Sequence, residues 1–465
     1  MVNGQQPDTG LKRSLGVVGV LLLTLSVATP VSSLFVIVPG LLRASGTGAL
    51  WALALASLVC VATAYVYAEL SSRWPVAGGE YVFVARTLGP MPGFVMLGVN
   101  VFNNLLFPPI AGLGLAAVLS VIWPGLPVVP LALAVVAGAT LVALLDIKLN
   151  AWITGSFLLI ELLAAVLIVW FGFGHAVRPF GEMLASPVML DPSGEGLLPT
   201  SAASLGVGTS IAIYALNGYG CAVYFGEEMH DAPRNIGRAI MWAAVLTILI
   251  EAVPIAALLV GAPDLMSAFE SEDPFAQLVQ LHGGQMAADW LAVGVAIAIV
   301  NAVIVCILAT ARFFYGTARD RCWGRPLDEM LTAIHPRFGS PWIGTLIVGA
   351  VGAVCCFAPI DVLLVMSGTG LIAIYAGIAL AAIAGRASGE TAAAPFKMPL
   401  FPLAPVLTLT ALGYVLWLNW LDPGEGRTGL LMTGAQILLS AAYYRLVLRP
   451  RGNWQVHAPS TAAAG

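Results

Sequence analysis

Two acidic residues stand inside apolar stretches of this sequence. Glu161 lies in the stretch 150–173 and Glu251 in 239–261, and neither stretch contains another charged residue. An ionised side chain at membrane depth costs several kcal/mol unless it is paired or protonated, which makes such an acid a functional candidate. We predict that Glu161, with Glu251 as second candidate, carries a coupling proton, or that Glu161 is the counter-ion of an amine. The structural alternative for both is a neutral carboxyl group bonded to a neighbouring helix.

Polar and glycine residues interrupt a third apolar stretch, 203–226. The sequence from Tyr214 reads Tyr-Ala-Leu-Asn-Gly-Tyr-Gly. Lipid offers no partner to an unpaired backbone group, so a broken membrane helix is expected only where it lines a polar cavity. Free N–H groups at a helix end suit an anionic group. The break therefore predicts a substrate-binding segment made of Ala215, Leu216, Asn217 and Gly218.

A second interruption lies near the N-terminus, where Ser26-Val-Ala-Thr-Pro-Val-Ser-Ser33 breaks the stretch 15–41. We predict that this break completes the binding site through Thr29, Pro30, Val31, Ser32 and Ser33. The alternative for the two serines is a pair of small residues that lets helices approach closely. Paired broken helices in two halves of a chain are the sequence feature of a secondary transporter's binding site. They predict that the chain carries a small molecule across a membrane.

Three asparagines form a polar patch in the stretch 93–122. Asn100, Asn103 and Asn104 lie on one helical face. In a membrane helix such a face should point into the bundle. We predict that Asn103 and Asn104 contribute to the substrate site; the alternative is that they join helices by hydrogen bonds.

Charged residues near one end of the predicted helices are candidates for a gate. We predict that ion pairs among them close the site at that end and break when it opens. The alternative is that the charges only support folding at the membrane surface. The gate candidates are Glu69, Arg73, Arg312 and Asp320, with Glu80 and Arg86 in the same region.

The composition of the chain indicates that membrane-spanning helices position these residues. Charged residues make up 9% of the chain and apolar residues 59%, whereas a soluble domain has roughly 25% charged residues. A spanning helix needs about 20 mostly apolar residues, and twelve stretches meet that rule. They are 15–41, 48–71, 93–122, 127–146, 150–173, 203–226, 239–261, 287–315, 342–358, 361–385, 400–420 and 428–447.

The spacing of the two breaks predicts the domain organisation. They fall in spans 1 and 6, which fits two inverted repeats of five helices followed by two further helices. The predicted transporter domain is 12–449, with repeat 1 at about 12–174, repeat 2 at about 203–385 and helices 11 and 12 at about 398–447. Residues 1–11 and 450–465 are predicted to be cytoplasmic tails, disordered at the chain ends, and the loop 319–341 to include a short interfacial helix.

The distribution of basic residues predicts the orientation. With twelve spans, seventeen of the twenty Lys and Arg residues fall on the side of the termini. The positive-inside rule then makes that side cytoplasmic. We predict a multi-pass protein of the cytoplasmic (inner) membrane with both termini in the cytoplasm. The three exceptions are Arg43, Arg178 and Arg427.

Other functions find little support in the sequence. The five histidines lie in predicted loops or the tail, and no Cys, His and carboxylate cluster or nucleophile motif is present. We therefore predict no enzyme activity, cofactor, metal or nucleic-acid partner; the predicted partners are a small-molecule substrate, a proton and the lipid bilayer. A channel or a nutrient sensor on the same scaffold is a weaker alternative. The sequence assigns no oligomeric state.

Three longer strings resemble the amino acid–polyamine–organocation (APC) permeases. They follow the family's order around spans 2 to 9 and are Tyr67-Ala-Glu-Leu-Ser-Ser-Arg-Trp-Pro-Val-Ala-Gly-Gly-Glu-Tyr81, Gly226-Glu-Glu-Met-His-Asp-Ala-Pro-Arg-Asn-Ile236 and Arg312-Phe-Phe-Tyr-Gly-Thr-Ala-Arg-Asp320. The resemblance implies the all-α leucine-transporter-type fold and secondary transport of amino acids or related amines, by rocking of spans 1, 2, 6 and 7 against spans 3, 4, 8 and 9. It also implies that Tyr214 covers the substrate, where its ring would add about 0.5–2 kcal/mol of cation–π attraction; the alternative is a packed core tyrosine.

The chain departs from the common family pattern at three places. Val31-Ser32-Ser33 replaces a glycine-rich triplet in span 1, Gly220 replaces a frequent Glu in span 6, and Glu161 stands where some bacterial relatives have a Lys. The pair Thr29-Pro30 resembles the branches that import putrescine, choline or 4-aminobutyrate. The alternative substrate class is therefore an amine of that kind, taken up or exchanged.

Overall fold

Helices dominate the computed structural model, which describes residues 10–119, 123, 125–191 and 196–457. Most of the predicted N-terminal tail and the last residues of the predicted C-terminal tail, 1–9 and 458–465, lie outside the described residues. The helices of the first half are α1 (Val17–Ala28), α2 (Pro30–Val36), α3 (Val38–Ser45), α4 (Ala49–Arg73), α5 (Glu80–Leu88), α6 (Pro90–Leu119), α7 (Val128–Ala143), α8 (Ile147–Gly174) and α9 (Phe180–Ala185).

The second half continues in the same way. Its helices are α10 (Ala202–Ala215), α11 (Ala232–Gly261), α12 (Leu265–Glu270), α13 (Pro274–Arg319), α14 (Arg325–Leu331), α15 (Trp342–Cys355), α16 (Ile360–Gly368), α17 (Gly370–Ser388), α18 (Leu403–Leu421), α19 (Glu425–Tyr443) and α20 (Arg449–Arg451). Tighter 3₁₀ turns cover Gly46–Gly48 and Tyr219–Glu228, and a wider π turn covers Tyr444–Leu448.

Membrane-spanning helices make up most of the described chain. Nine helical segments within it are long and apolar enough to cross a bilayer, and α7 and α15 are shorter apolar helices. The predicted span 6 is present in two pieces, α10 and the 3₁₀ stretch Tyr219–Glu228. Each of the twelve predicted spans therefore corresponds to helical structure. The inverted-repeat relation between the halves stays a prediction.

Several predicted boundaries were wrong in detail. Span 1 was predicted to reach residue 41, but its helix ends at Val36 and α3 follows as a separate helix. Helix α13 extends to Pro274, with a non-helical turn at Gly284 inside it. The segment 175–200 between α8 and α10 contains α9 and a small antiparallel hairpin, β1 (Val188–Leu190) with β2 (Leu197–Pro199). The described part of the fold is thus all-α apart from this hairpin.

Helix α13 lies at the centre of the bundle. In the most apolar part of α13, 83% of the residues are buried inside the protein. In the corresponding part of the span that contains α19, only 17% are buried. Large apolar side chains such as Trp152, Leu163 and Trp170 on α8 remain exposed, as lipid-facing residues do. The outer helices therefore contact lipid, while α13 packs against α1, α6, α7 and α8.

The segment that follows α20 packs against the bundle. Trp454 makes aromatic contacts with Phe94 and Tyr444, with ring centroids 5.9 Å apart in each case. Arg86 donates a hydrogen bond of 2.6 Å to the carbonyl oxygen of Val456. The predicted disorder of residues 450–457 is therefore wrong, because aromatic contacts fix a sequence whose composition suggested a free tail.

Candidate functional site

The two predicted breaks are present and touch each other. Helix α1 ends at Ala28, and Thr29 adopts a left-handed conformation (φ 37°, ψ 59°) before Pro30 begins α2. Gly218 has φ 118°, and a Cβ atom built on it would lie 2.4 Å from the Cα atom of Ala28. Proline cannot continue the hydrogen bonding of α1, and only glycine fits the second break at this distance. Both interruptions are therefore fixed by residue type.

The second break presents backbone donors. Helix α10 ends at Ala215, and among the described residues the N–H groups of Gly218, Tyr219 and Gly220 have no hydrogen-bond acceptor. Successive unpaired N–H groups form an anion-binding concavity. The predicted binding residue Asn217 accepts a hydrogen bond from the hydroxyl group of Tyr375.

Gly220 has a steric explanation. A Cβ atom built on it would lie 2.7 Å from the ring of Tyr67. Any side chain at this position, including the Glu that is frequent in the family, would need the space that the Tyr67 ring fills. The ring of Tyr67 thus accounts for a glycine at residue 220, where the family frequently has a Glu.

Glu161 lies against the first break. Its Oε1 atom accepts hydrogen bonds from the backbone N–H of Val31 (3.1 Å) and from the hydroxyl group of Thr29 (3.4 Å). The side chain is fully buried, and its Oε2 atom has no partner among the described residues. The carboxyl group of α8 thus caps the start of α2. Glu161 therefore lies beside the predicted binding residues of the first break. Its bond to α2 also agrees with the structural alternative, a carboxyl group bonded to a neighbouring helix.

Glu251 lies on another side of α2. It is fully buried, and neither of its oxygen atoms forms a hydrogen bond of normal geometry within the described chain. The side chain of Ser33 lies near the Glu251 carboxyl group. The hydroxyl group of Ser33, however, forms no hydrogen bond of normal geometry with the described residues. Thr247, one turn earlier on α11, has an unpartnered hydroxyl group as well. These unpaired oxygen atoms favour a protonated carboxyl group, because a buried charge without a partner is costly.

The asparagines of α6 connect helices. Asn100 donates a hydrogen bond of 3.1 Å to Glu80, and Asn104 donates one of 3.1 Å to the hydroxyl group of Tyr224. Glu80 also accepts from Tyr224 at 2.8 Å. Asn103 is half-buried and has no side-chain hydrogen bond to the described residues. Asn104 thus joins α6 to the 3₁₀ stretch after the second break, while Asn103 keeps its polar atoms available.

Tyr214 lines a lateral cavity. Its side chain is 43% exposed and borders a cavity of about 410 Å³ between α10, α17 and α18. Tyr375 lines the same cavity and also binds Asn217. The predicted covering residue therefore faces a space that adjoins the second break.

A buried ion pair closes one end of the bundle, the end that carries Lys12 and the residues following α13, here called the basic end. Arg312 and Glu228 form two hydrogen bonds to each other, and both are fully buried. The backbone N–H groups of Ser14 and Leu15 donate to the carbonyl oxygen of Glu228 at 2.8 and 2.9 Å. The chain before α1 is thereby tied to the end of the second break. Sequence reasoning did not assign Glu228 to the gate, although it is an acid that directly follows the broken span.

Asp320, directly after the end of α13, has other partners. It accepts hydrogen bonds from the hydroxyl group of Tyr81 (2.7 Å) and the backbone N–H of His457 (3.1 Å). Burial at the end of α13 raises the pKa of its carboxyl group to about 6, and the Tyr81 bond and Arg319 counteract this only in part.

The other gate candidates lie between α4 and the segment after α17. Glu69 forms a two-pronged ion pair with Arg386 at 2.6 and 2.7 Å. Arg73 donates to the backbone carbonyl oxygen of Glu390 at 2.9 Å and has no acidic partner within the described chain. The predicted gate residues thus belong to two separate networks, one around Arg312 and Asp320 and one around Glu69 and Arg73.

Comparison with known proteins identifies the class of the chain. Residues 15–442 match the family described as Amino acid permease. The chain therefore belongs to this amino acid permease family of the APC superfamily and is a multi-pass membrane protein with the helical fold described above.

Its relatives are transporters. The chain is 28% identical over 392 residues to an uncharacterised transporter of Mycobacterium tuberculosis, covering 83% of this chain and 82% of that one. It is 24% identical to the methylthioribose transporter of Bacillus subtilis, with 91% of both chains covered. It is also 24% identical to the low-affinity putrescine importer PlaP of Escherichia coli K12, covering 90% of this chain and 92% of the importer. A transporter role is thus supported along nearly the whole chain.

Proposed function

We propose that this chain is a secondary active transporter that moves an amine or amino acid across the cytoplasmic membrane by alternating access, coupled to protons through Glu161. The observation that carries the proposal is the contact between the two helix breaks, with a buried carboxyl group bonded to the first. Gly218 of the second break lies against Ala28, and Glu161 binds Val31 in the next turn. Irregular backbone at membrane depth is tolerated where it lines a cavity, and this arrangement suits a substrate site.

The position of Glu161 favours an amine as substrate. Its carboxyl group already occupies the Val31 N–H, which would otherwise bind a substrate carboxylate. A carboxylate is also the natural partner of an ammonium group at low dielectric. The putrescine importer among the relatives has a substrate of this chemistry by its name. An amino acid is the second candidate, because the N–H groups of Gly218, Tyr219 and Gly220 remain available for its carboxylate.

Proton coupling follows from the two roles that Glu161 would have. The ionised carboxylate holds α2 through Val31 and attracts a cation, whereas the protonated form accepts hydrogen bonds less strongly. Binding a proton would thus loosen the first break and release a cationic substrate. Glu251, buried beside Ser33, is the second proton-carrying candidate.

Alternating access would require the basic end to open. In the described structure Arg312 and Glu228 close that end, together with the backbone bonds between Leu15 and Glu228. We propose that the spans carrying the breaks, 1 and 6, move with spans 2 and 7 against spans 3, 4, 8 and 9, and that these contacts separate. The excess of basic residues makes this end cytoplasmic.

Uptake into proteoliposomes tests the proposal. The purified chain is tested with radiolabelled putrescine, choline, 4-aminobutyrate and amino acids under imposed proton or sodium gradients. We expect saturable accumulation of an amine that depends on the proton gradient and is larger when the lumen is acidic, because a proton and a cationic amine would compete for Glu161. Glu161→Gln should abolish the response to the gradient, whereas Glu270→Gln, at an exposed acid at the end of α12, should transport like the wild type. Accumulation that ignores the pH gradient, or a Glu161→Gln protein that still responds to it, would refute the coupling.

The binding site is tested separately. Asn217→Leu combined with Ser32→Leu removes polar groups at both breaks, and we expect saturable uptake to be lost while membrane insertion is unchanged. Unaltered uptake by this double variant would place the substrate elsewhere.

A further inference from the structure

A cleft at the basic end has a composition that the transport site does not explain. It has a volume of about 1490 Å³ and lies between the end of α13, helix α14 and the segment after α20. Five of its lining residues are cationic and two are acidic: Lys12, Arg319, Arg321, Arg325, Arg451, Asp328 and Glu329.

Three of the cations lack an acidic partner within the described chain. Arg319 pairs with Glu227, and Arg325 pairs with Glu329 on the surface of α14. Lys12, Arg321 and Arg451 form no ion pair with the described residues, and Arg451 donates a hydrogen bond of 3.5 Å to the backbone carbonyl oxygen of Trp323. The cleft therefore concentrates uncompensated positive charge, which attracts anions.

The acidic residues in the wall do not cancel this charge. Asp328 accepts hydrogen bonds from the backbone N–H groups of Trp323 and Gly324, both at 3.0 Å, so its carboxylate is used to hold the turn before α14. The indole N–H of Trp323 donates to Thr317 at 2.9 Å. One wall of the cleft is thereby held in place by side-chain bonds.

Arg321 occupies a position that favours glycine. Its φ of 62° lies in the left-handed region, directly after the end of α13. A residue with a Cβ atom is strained in this conformation, whereas glycine is not. Strain kept at one residue is a reason to look for a role of its side chain, and here Arg321 is one of the residues that line the cleft.

The neighbourhood of the cleft is that of a membrane surface. On α14 the apolar side chains of Leu327 and Met330 are 46% and 44% exposed, on a short helix that begins with Arg325. Exposed apolar residues beside basic ones are typical of a helix lying in the interface. Basic pockets between membrane helices bind lipid phosphate groups, and arginine suits phosphate oxygen atoms because its donors form a planar fork.

We propose that this cleft binds a phosphate-bearing anion, with the headgroup of an anionic membrane lipid as the expected source. The three unpaired cations, Lys12, Arg321 and Arg451, would contact the phosphate group. This proposal does not depend on the transported substrate or on proton coupling.

Native mass spectrometry of the full chain in detergent tests it, with phosphatidylglycerol and phosphatidylcholine as probes. The cleft variant combines Lys12→Gln, Arg321→Gln and Arg451→Gln. The control variant combines Lys148→Gln, Arg238→Gln and Lys397→Gln, which removes the same charge from exposed positions predicted to face the same side. We expect the cleft variant to bind phosphatidylglycerol about a hundredfold more weakly, since each basic residue contributes near an anionic surface, while the control binds like the wild type.

The other outcomes either overturn the proposal or distinguish a lipid headgroup from a soluble phosphate compound as the ligand. Equal losses in both triple variants, or no loss in either, would overturn the proposal, as would phosphatidylcholine binding as tightly as phosphatidylglycerol. Displacement of the lipid by micromolar inorganic phosphate or ATP, with loss of that competition in the cleft variant, would support the phosphate chemistry and assign it to a soluble ligand. Unfolding temperatures matching the wild type would show that both variants are folded.

Discussion

Three buried acids of this chain show how the partners of a carboxyl group determine its role. Glu161 binds the first helix break through one oxygen atom, whereas Glu251 has no bonded partner among the described residues. Asp320 lies at the end of α13 with a hydroxyl and a backbone donor. The sequence alone identified all three acids as candidates. It could not identify their hydrogen-bond partners, because these come from segments distant in the chain. The sequence therefore predicted candidates, and the structure separates their environments.

The carboxyl group of Asp320 should make stability depend on pH. Its pKa is raised to about 6 by burial, above the ordinary value of about 3.9. The folded chain thus holds this proton more tightly than the unfolded chain, so its contribution to stability is full below about pH 4 and is lost as the pH rises through 6. An increase of this size corresponds to roughly 2–3 kcal/mol.

Thermal unfolding of the Asp320→Asn variant between pH 5 and 8 measures this contribution. Asparagine keeps the size of the side chain and one of the two acceptor oxygen atoms, for either Tyr81 or the His457 N–H, but carries no charge. We expect the variant to gain stability relative to the wild type as the pH rises through 6. A stability difference that stays constant over this range would contradict the assignment. Asp273, whose pKa burial also raises to about 6, is present in both proteins and cancels in the comparison.

At the scale of elements, the two broken helices form one structural unit. The sequence predicted both interruptions, because Pro30 and the glycines around Asn217 disfavour a continuous helix. It did not predict that Gly218 lies against Ala28, since contacts between segments nearly two hundred residues apart leave no local pattern. It also placed the end of span 1 beyond Val36, because residues up to 41 remain apolar across the turn into α3.

Replacing Gly218 with alanine should disrupt the contact between the two broken helices. The new Cβ atom would lie 2.4 Å from the Cα atom of Ala28, so the two breaks must move apart. We expect Gly218→Ala to reduce saturable uptake at least about tenfold, because a displacement of about 1 Å at a positioned site costs roughly a hundredfold. The measurement is the initial rate of uptake at equal amounts of inserted protein.

Gly389 offers a matched control for this variant. It also has a positive φ, 81°, but a Cβ atom there meets nothing within 4 Å. Gly389→Ala therefore carries the same backbone strain without the collision, and we expect its uptake to match the wild type. Equal losses in the two variants would mean that backbone strain, not the contact of the breaks, explains the effect.

At the scale of the whole molecule, the apolar composition predicted the helical membrane fold, while the orientation inferred from the basic residues stays a prediction. Each predicted span corresponds to helical structure and nine described segments are long and apolar enough to cross a bilayer, since about 20 apolar residues are needed wherever a helix crosses lipid. The aromatic contacts of Trp454 were missed, because a short polar tail with one tryptophan has no periodicity to interpret. The separation of the gate residues into two networks was missed for another reason: charge alone does not specify which acid an arginine meets.

Cysteine labelling tests the orientation that the basic residues predict. Glu270 and Lys397 are exposed and lie on opposite predicted sides, and the native cysteines are buried or half-buried, which keeps the background low. In intact bacterial cells we expect a membrane-impermeant maleimide to label Glu270→Cys, and to label Lys397→Cys only after permeabilisation. The opposite pattern would contradict the cytoplasmic assignment. It would also place the cleft lined by Lys12, Arg321 and Arg451 at the outer surface, so the leaflet that supplies its anionic ligand depends on this result.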